Sequence, residues 1–387
     1  MIPYSMQDIN DHDIAVVMRV LKSKFITQGP EVQAFENDLM EKFSVKHAIV
    51  CSSGTAALHL SYAALGIQEK SIGVVPAITF SATANAFRYL GAEVRFCDVD
   101  PKTGLLCLDS LECTLKEIDL ASITCPGVVS PVSFAGSLAP LRQVRELSDS
   151  IGFKTVEDAS HSPGAFSSSG GEIEESSSCI NSDAACLSFH PVKHICCGEG
   201  GAVLTNDPEV ADLARRLRSH GIERPFGESH ESPWFYQQNE LGWNYRLTDM
   251  QSALGRSQLE RLPDQLKQRR KLAQRYENRL KEYPFNQFLC PPLFENGHSW
   301  HLYIIRFKES GMRDKAHKFL KKEGIMTQVH YVPLYRHPYY AKILGEIRLP
   351  GAEEFYQSCL SIPMFPTLTE KNQDHVLNSL KKFCEVS

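Results

Sequence analysis

The sequence predicts an α/β protein: a mainly parallel, seven-stranded sheet with helices on both faces, followed by a smaller C-terminal α/β unit. Two observations carry this. Short apolar runs recur from His47 to Thr205, most separated by a segment of helical length. A long, charge-rich helical pattern, Leu247 to Tyr283, then separates them from a second set of elements. Short apolar strands alternating with helices are the pattern of a parallel sheet buried on both sides, and such sheets bind ligands beyond the carboxyl ends of their strands.

Taken in order, Asp11 to Leu21 reads as a helix. After the break at Gly29 and Pro30, Glu31 to Phe43 places Val32, Phe35, Leu39 and Phe43 on one helical face. The strand candidates are His47 to Cys51, Ile72 to Pro76, Val94 to Phe96, Val128 to Val132, Thr155 to Glu157, Ala184 to Ser188 and Ala202 to Thr205. Asn206, Asp207 and Pro208 form a helix start, with a side-chain cap and a proline suited to the first turn. That helix ends near Ser219 to Gly221, and a polar loop containing Trp234 and Phe235 leads to Asn244, Tyr245 and Arg246. Pro263 interrupts the long helical pattern. Beyond it, strands are expected at Leu302 to Phe307 and Met326 to Val329, with a helix around Asp314 to Lys322 and another at the end. The domain expectation is therefore a large unit over 1–246 and a smaller one over 247–387. The biased segment Ser167 to Ser178 reads as an exposed loop or hairpin tip.

Composition excludes several classes. At 387 residues with a formal charge of −5, nothing suggests a nucleic-acid surface. No apolar run approaches the ~20 residues needed to span a bilayer. The opening MIPYSMQDINDHD lacks a basic-then-apolar leader. The twelve cysteines include no CxxC pair, and Cys51, Cys97 and Cys186 lie in or beside apolar runs, where free cysteine acts as a small hydrophobe. No metal site is expected, and a reducing, cytoplasmic setting is.

The chemistry concentrates around Lys193. It lies between two apolar runs, Ala184 to Leu187 and Ala202 to Leu204, beside a small-residue turn at Gly198 to Gly201. A lone lysine there reads as a surface residue of a hairpin. Ser188 upstream and Asp158 at the end of another apolar strand turn the reading toward a desolvated amine, which is nucleophilic and condenses with carbonyls. Asp158 alone reads as a helix cap. Ser52 to Leu58 (SSGTAAL) follows a strand and opens a helix, where free N–H groups and glycine suit a phosphate.

Together these segments resemble the DegT/DnrJ/EryC1/StrS sugar aminotransferases of fold type I, which use pyridoxal 5′-phosphate, and the resemblance runs over nearly the whole chain. It implies that Lys193, in S-F-H-P-V-K, carries the cofactor and shuttles protons. Asp158, in E-D-A-S-H, would hold the pyridine nitrogen protonated, with His161 near the ring's phenolic oxygen. Gly54 and Thr55, in S-G-T-A-A-L, and Ser188 would bind the phosphate, and Phe80 would stack on the ring. Asn244, in N-Y-R, matches an asparagine that the family lends across a homodimer to the neighbouring phosphate. His190 and His194 are left as structural.

Further segments, P-Y-S at Pro3 to Ser5, K-F-I-T-Q-G at Lys24 to Gly29, R-S-H-G at Arg218 to Gly221, Q-S-A-L-G at Gln251 to Gly255 and Q-V-H-Y at Gln328 to Tyr331, resemble members serving pseudaminic acid biosynthesis. Those aminate C4 of a UDP-linked 4-keto-6-deoxy N-acetylated sugar, with glutamate as the donor by family habit. The resemblance implies that Tyr4, Lys24, Thr27, His330 and Tyr331 line the sugar-nucleotide site. The stretch Phe166 to Asp183 departs from the family's short G-K-x-V-G hairpin. The alternatives are another nucleotide-linked keto-sugar of perosamine type, a sugar dehydratase, or a non-catalytic regulator. Dehydratases of this family carry histidine in place of the lysine, so Lys193 argues against that reading. Against a non-catalytic regulator or ligand sensor stand the filled catalytic positions and the lack of any DNA-binding module in the sequence.

Overall fold

Seven strands form the central sheet, and their carboxyl ends decide where the site lies. The computed structural model describes all residues except 120–124, 170, 224–233, 294 and 387. In chain order the first nine strands are β1 (His47–Cys51), β2 (Ile72–Pro76), β3 (Glu93–Cys97), β4 (Gly127–Val129), β5 (Lys154–Asp158), β6 (Phe166–Ser169), β7 (Glu172–Glu175), β8 (Ala184–Ser188) and β9 (Gly201–Thr205). The main sheet runs β1-β9-β8-β5-β4-β2-β3, while β6 and β7 form a separate hairpin. Strands β8, β5, β4, β2 and β3 are mutually parallel. Strand β9 runs antiparallel to both β8 and β1, so β1 points the same way as β8. The carboxyl ends of β1, β2, β5 and β8 therefore share one edge.

The seven strands expected in the main sheet recur within a residue or two, except one. The run Val128 to Val132 pairs as a strand only to Val129, because Pro131 has no N–H to continue the ladder. Val132 rejoins through an isolated bridge to Asp158. Strands β2, β8 and β9 are buried almost throughout, as a sheet covered on both faces requires.

The helices of this part are α1 (Asp11–Leu21), α2 (Pro30–Phe43), α3 (Gly54–Ala64), α4 (Ser81–Tyr89), α5 (Leu108–Lys116), α6 (Leu141–Asp149) and α7 (Pro208–Arg218). Ser53 caps α3 by accepting from the Ala56 N–H, and Asp207 caps α7 by accepting from Glu209 and Val210. The long charged pattern splits into α8 (Asp249–Glu260) and α9 (Leu262–Leu280), with Pro263 in the first turn of α9. Helix α8 packs on α1 and α2. There the buried Asp13 accepts from Ser257 at 2.6 Å and from Gln258 at 2.8 Å, and pairs with Arg261 at 2.5 Å.

A second apolar cluster gathers Leu272, Tyr276, Trp300, Tyr303, Ile305 and Phe383 around a small antiparallel sheet of Leu289–Cys290, Tyr303–Phe307 and Cys359–Ile362. Helices Met312–Lys322 and Glu370–Val386 complete it. The strand expected at Met326 to Val329 is reduced to single bridges, Ile325 to Ile2 and Gln328 to Ser361. The chain pairs for one residue and then turns, which places His330 Nδ1 2.7 Å from Ser361 Oγ. Among the described residues, no helix is long and apolar enough to cross a membrane.

The biased segment Ser167 to Ser178 also differs from expectation at its end. The tip is exposed, but Ser176, Ser177 and Ser178 are buried. The reason is Glu157, fully enclosed beside them. Its carboxylate accepts from Ser133 (2.6 Å), Ser176 (2.7 Å) and the Ser177 N–H (2.8 Å), which is what keeps a buried acid tolerable. The expected polar loop ahead of Asn244 falls partly outside the described residues.

Candidate active site

The carboxyl ends of β1, β2, β5 and β8 meet on one edge of the sheet. At the end of β1 the chain turns through Ser52 and Ser53 into α3, whose first residues, Gly54 and Thr55, carry N–H groups without helical partners. Gly54 faces Ser188 at the end of β8: a Cβ on Gly54 would stand 2.8 Å from Ser188 Cβ and 3.1 Å from its hydroxyl. The neighbouring β9 is held equally close, since a Cβ on Gly201 would lie 2.4 Å from the Ser53 carbonyl. Backbone N–H groups, a hydroxyl and a helix N-terminus thus line one concave spot, which fits a phosphate.

Asp158 ends β5 and is buried. Its Oδ2 accepts a 2.7 Å hydrogen bond from Thr83, and its Oδ1 accepts from the Ser160 N–H at 3.2 Å. Thr83 in turn lies 2.8 Å from Thr79. One proton per hydroxyl fixes the direction: Thr83 gives its proton to the carboxylate and accepts from Thr79.

Lys193 sits in the turn after β8, its N–H bonded to the His190 carbonyl at 2.9 Å. Burial lowers its pKa from 10.5 to about 8, and the nearby Asp158 charge limits the fall. The N-terminal arm lies alongside, with the Ser5 hydroxyl 3.5 Å from the Val192 carbonyl. His190 is exposed, while His194 is buried and its Nε2 contacts the Ser299 carbonyl at 2.9 Å.

His161 is buried between aromatic rings. The Ala135 N–H donates to its Nδ1 at 3.4 Å, so the proton sits on Nε2, 3.5 Å from the Tyr331 hydroxyl. Burial, and then the positive Lys193, hold His161 neutral with its pKa well below 6.5. The ring of His301 lies 4.3 Å from it. Tyr331 is 6.1 Å from Phe80, and Tyr4 is 5.5 Å from His330. Burial raises the pKa of both tyrosines. Phe80, ahead of α4, is 59% exposed although its neighbours are enclosed. An uncovered aromatic face beside a buried carboxylate, a desolvated amine and a phosphate-shaped cradle fits a flat, phosphorylated cofactor.

The structure thus brings Gly54, Ser188, Asp158, Lys193, His161, Phe80, His330, Tyr331 and Tyr4 to one region. It does not bring Lys24, Thr27 or Asn244 into contact with them: all three are exposed. Lys24 and Thr27 belong to an arm tied down by the Thr27–Thr248 bridge and by the Gly29 N–H bond to Asp249 at 2.8 Å. Two residues escaped the sequence reading. Thr83 stands one helical turn beyond Phe80, and that spacing was its only signal. His301 carried none, because it comes from the C-terminal part of the chain.

The profile of the DegT/DnrJ/EryC1/StrS aminotransferase family matches residues 7–381. A UDP-4-amino-4,6-dideoxy-N-acetyl-beta-L-altrosamine transaminase of Campylobacter jejuni is 37% identical, over 100% of this chain and 98% of its own length. Helicobacter pylori PseC, an aminotransferase involved in the biosynthesis of pseudaminic acid, superposes with a TM-score of 0.88 at 29% identity over 100% of both chains. The Streptococcus pneumoniae protein Spr1654 in its PLP form superposes with a TM-score of 0.88 at 25% identity, covering 100% of this chain and 99% of that one.

Proposed function

The chain belongs to the DegT/DnrJ/EryC1/StrS aminotransferase family, whose members depend on pyridoxal 5′-phosphate, and from that premise we propose that it aminates C4 of a UDP-linked 4-keto-6-deoxy N-acetylated sugar, with glutamate as donor. The observation that carries the reaction is the half-buried Lys193, its pKa lowered to about 8, near the buried Asp158 at the strand ends. The whole-length likeness to the Campylobacter jejuni transaminase supports the sugar.

When bound, the cofactor supplies a carbonyl carbon that condenses with amines and a protonated ring that accommodates negative charge. The chain's own residues do the rest. Lys193, neutral for a sizeable part of the time near pH 8, would take the proton from the donor's α-carbon and deliver it two bonds away, to the carbon across the intervening nitrogen, and then run the transfer in reverse with the sugar. Asp158 keeps a proton on the ring nitrogen, and Thr83 and Ser160 hold its two oxygens in place. Phe80 would cover one face of the ring, and the Nε2–H of His161 would be the donor available to the ring's oxygen. Gly54, Thr55 and Ser188 hold the phosphate. Tyr4, His330 and Tyr331 line the sugar side.

The exposed residues complete the site in a homodimer. Phe25 and Ile26 on the arm, and Trp234 and Leu241 near Asn244, are apolar and uncovered, as a subunit interface requires. Asn244 reaches the phosphate of the neighbouring subunit, and Lys24 and Thr27 reach its sugar-nucleotide. The same reading divides the chain into a large unit over 1–246 and a small one over 247–387, and sets the enzyme in the cytoplasm.

Incubation with glutamate and a panel of UDP- and dTDP-linked 4-keto-6-deoxy sugars tests this. Formation of a UDP-linked 4-amino sugar together with 2-oxoglutarate is expected. Preference for a dTDP sugar overturns the substrate, and failure to aminate any of them by cofactor-loaded protein overturns the reaction.

A further inference from the structure

Helix α3 carries two functions at once. Its N-terminus, Gly54 and Thr55, belongs to its own chain's phosphate cradle. One turn and a half later, His59 is buried with only 4% exposure and packs under the segment Trp243 to Tyr245. The His59 ring lies 4.2 Å from Trp243, and its Nδ1 is 3.1 Å from the Tyr245 hydroxyl. Trp243 and Tyr245 stack at 5.7 Å and 12°. In an extended segment alternate side chains face opposite ways, so the two residues that meet His59 turn Asn244 outward, where it is exposed. The backbone is pinned as well: the Ser52 N–H donates to the Tyr245 carbonyl at 2.8 Å, and the Tyr245 N–H to the Arg218 carbonyl at 3.0 Å.

His59 has no other polar contact among the described residues. Its Nε2 is enclosed and unpartnered, so among the described residues the Tyr245 hydroxyl is the one polar group that orients a ring otherwise packed against Trp243 and Tyr89. Burial also keeps it neutral at ordinary pH, with its pKa lowered to about 4.

We infer that the His59–Tyr245 pair is a positioning device that acts on the other subunit: it holds Asn244 in the orientation that reaches the partner's phosphate. This rests on the reading that Asn244 serves the partner's site. The device ties that asparagine to the helix whose own N-terminus binds a phosphate, so each chain's α3 supports both sites of the dimer.

The test uses Tyr245→Phe, which removes the hydroxyl and leaves the stacked ring and the backbone bonds. Cofactor binding is read as the fraction of Lys193 fixed by borohydride at rising pyridoxal 5′-phosphate, resolved by chain with mass spectrometry. The Tyr245→Phe homodimer should bind about fivefold more weakly, the effect of losing one hydrogen bond. Full-length dimers purified with two tags, one chain Tyr245→Phe and the other Lys193→Ala, should regain wild-type affinity. The only fixable lysine then sits opposite an unaltered Tyr245. Persistent weakness in the mixed dimer, or wild-type affinity in the Tyr245→Phe homodimer, overturns the inference. Asn244→Ala in the same format separates the two layers. If it weakens binding and is restored by the Lys193→Ala partner while Tyr245→Phe is not, the device fails and the shared site stands. If Asn244→Ala itself is not restored, the shared site fails and takes the device with it.

Discussion

Thr83 donates a 2.7 Å hydrogen bond to Oδ2 of Asp158 from the first turn of α4, while Thr79 sits 2.8 Å behind it. The contact joins the ends of β2 and β5, and it fixes the carboxylate on which the proposed electron sink depends. Thr83→Val keeps the shape and removes the donor. Turnover should fall about tenfold, and cofactor affinity should fall less, because a charge-assisted bond contributes about 1.5 to 3 kcal/mol. Steady-state rates at saturating cofactor check this, and an unchanged rate would free Asp158 from any need of Thr83.

Asp158→Asn should retain cofactor and lose at least about a hundredfold in turnover, since an amide cannot keep the ring nitrogen protonated. A near-normal rate would reduce Asp158 to a helix cap.

Lys193→Ala should abolish turnover with the fold intact. In the cofactor-free protein the same lysine gives a pH signature. Its pKa in the folded state is about 8, against 10.5 when unperturbed. Between those values the unfolded chain binds more protons, so this residue's contribution to stability rises with pH, by at most about 3 kcal/mol. Below about pH 8 both states are protonated and the penalty is constant. Buried cysteines and tyrosines with raised pKa oppose the trend, so the measurement is a difference: denaturant unfolding of wild type against Lys193→Met from pH 7.5 to 10.5. Wild type should gain on the variant as pH rises. Parallel curves would mean the amine is not desolvated.

Gly54→Ala should weaken cofactor binding at least about tenfold and also lower the melting temperature, because the new contact is with a Cβ fixed to the backbone of β8. The added methyl would stand 2.8 Å from Ser188 Cβ, filling the cradle that a phosphate needs. Equilibrium dialysis against pyridoxal 5′-phosphate measures it, and unaltered affinity would move the phosphate elsewhere.

Mixing Lys193→Ala with Asn244→Ala chains should restore roughly a quarter of wild-type activity when exchange is random, since half the dimers then contain one intact site of two. Recovery no greater than the sum of the separate variants would place Asn244 in its own chain's site.

The sequence by itself determined most of the strands and singled out Asp158 and Lys193. Apolar runs of strand length ending at Cys51, Asp158 and Ser188 are local patterns, and the expected strands at His47, Ile72 and Ala184 begin and end where the structure has them. Gly54, Asp158, Ser188 and Lys193 were legible because each follows or ends such a run. Only the tertiary structure decided what surrounds them. Strand order sets β5 beside β8 and brings Thr83 onto Asp158. It also draws His301 over His161 and buries the serines that the pattern had left exposed around Glu157. Periodicity reports which face of an element is apolar. It cannot report which distant polar group must enter that face to satisfy a buried carboxylate, because that demand arises only once the sheet has closed over it.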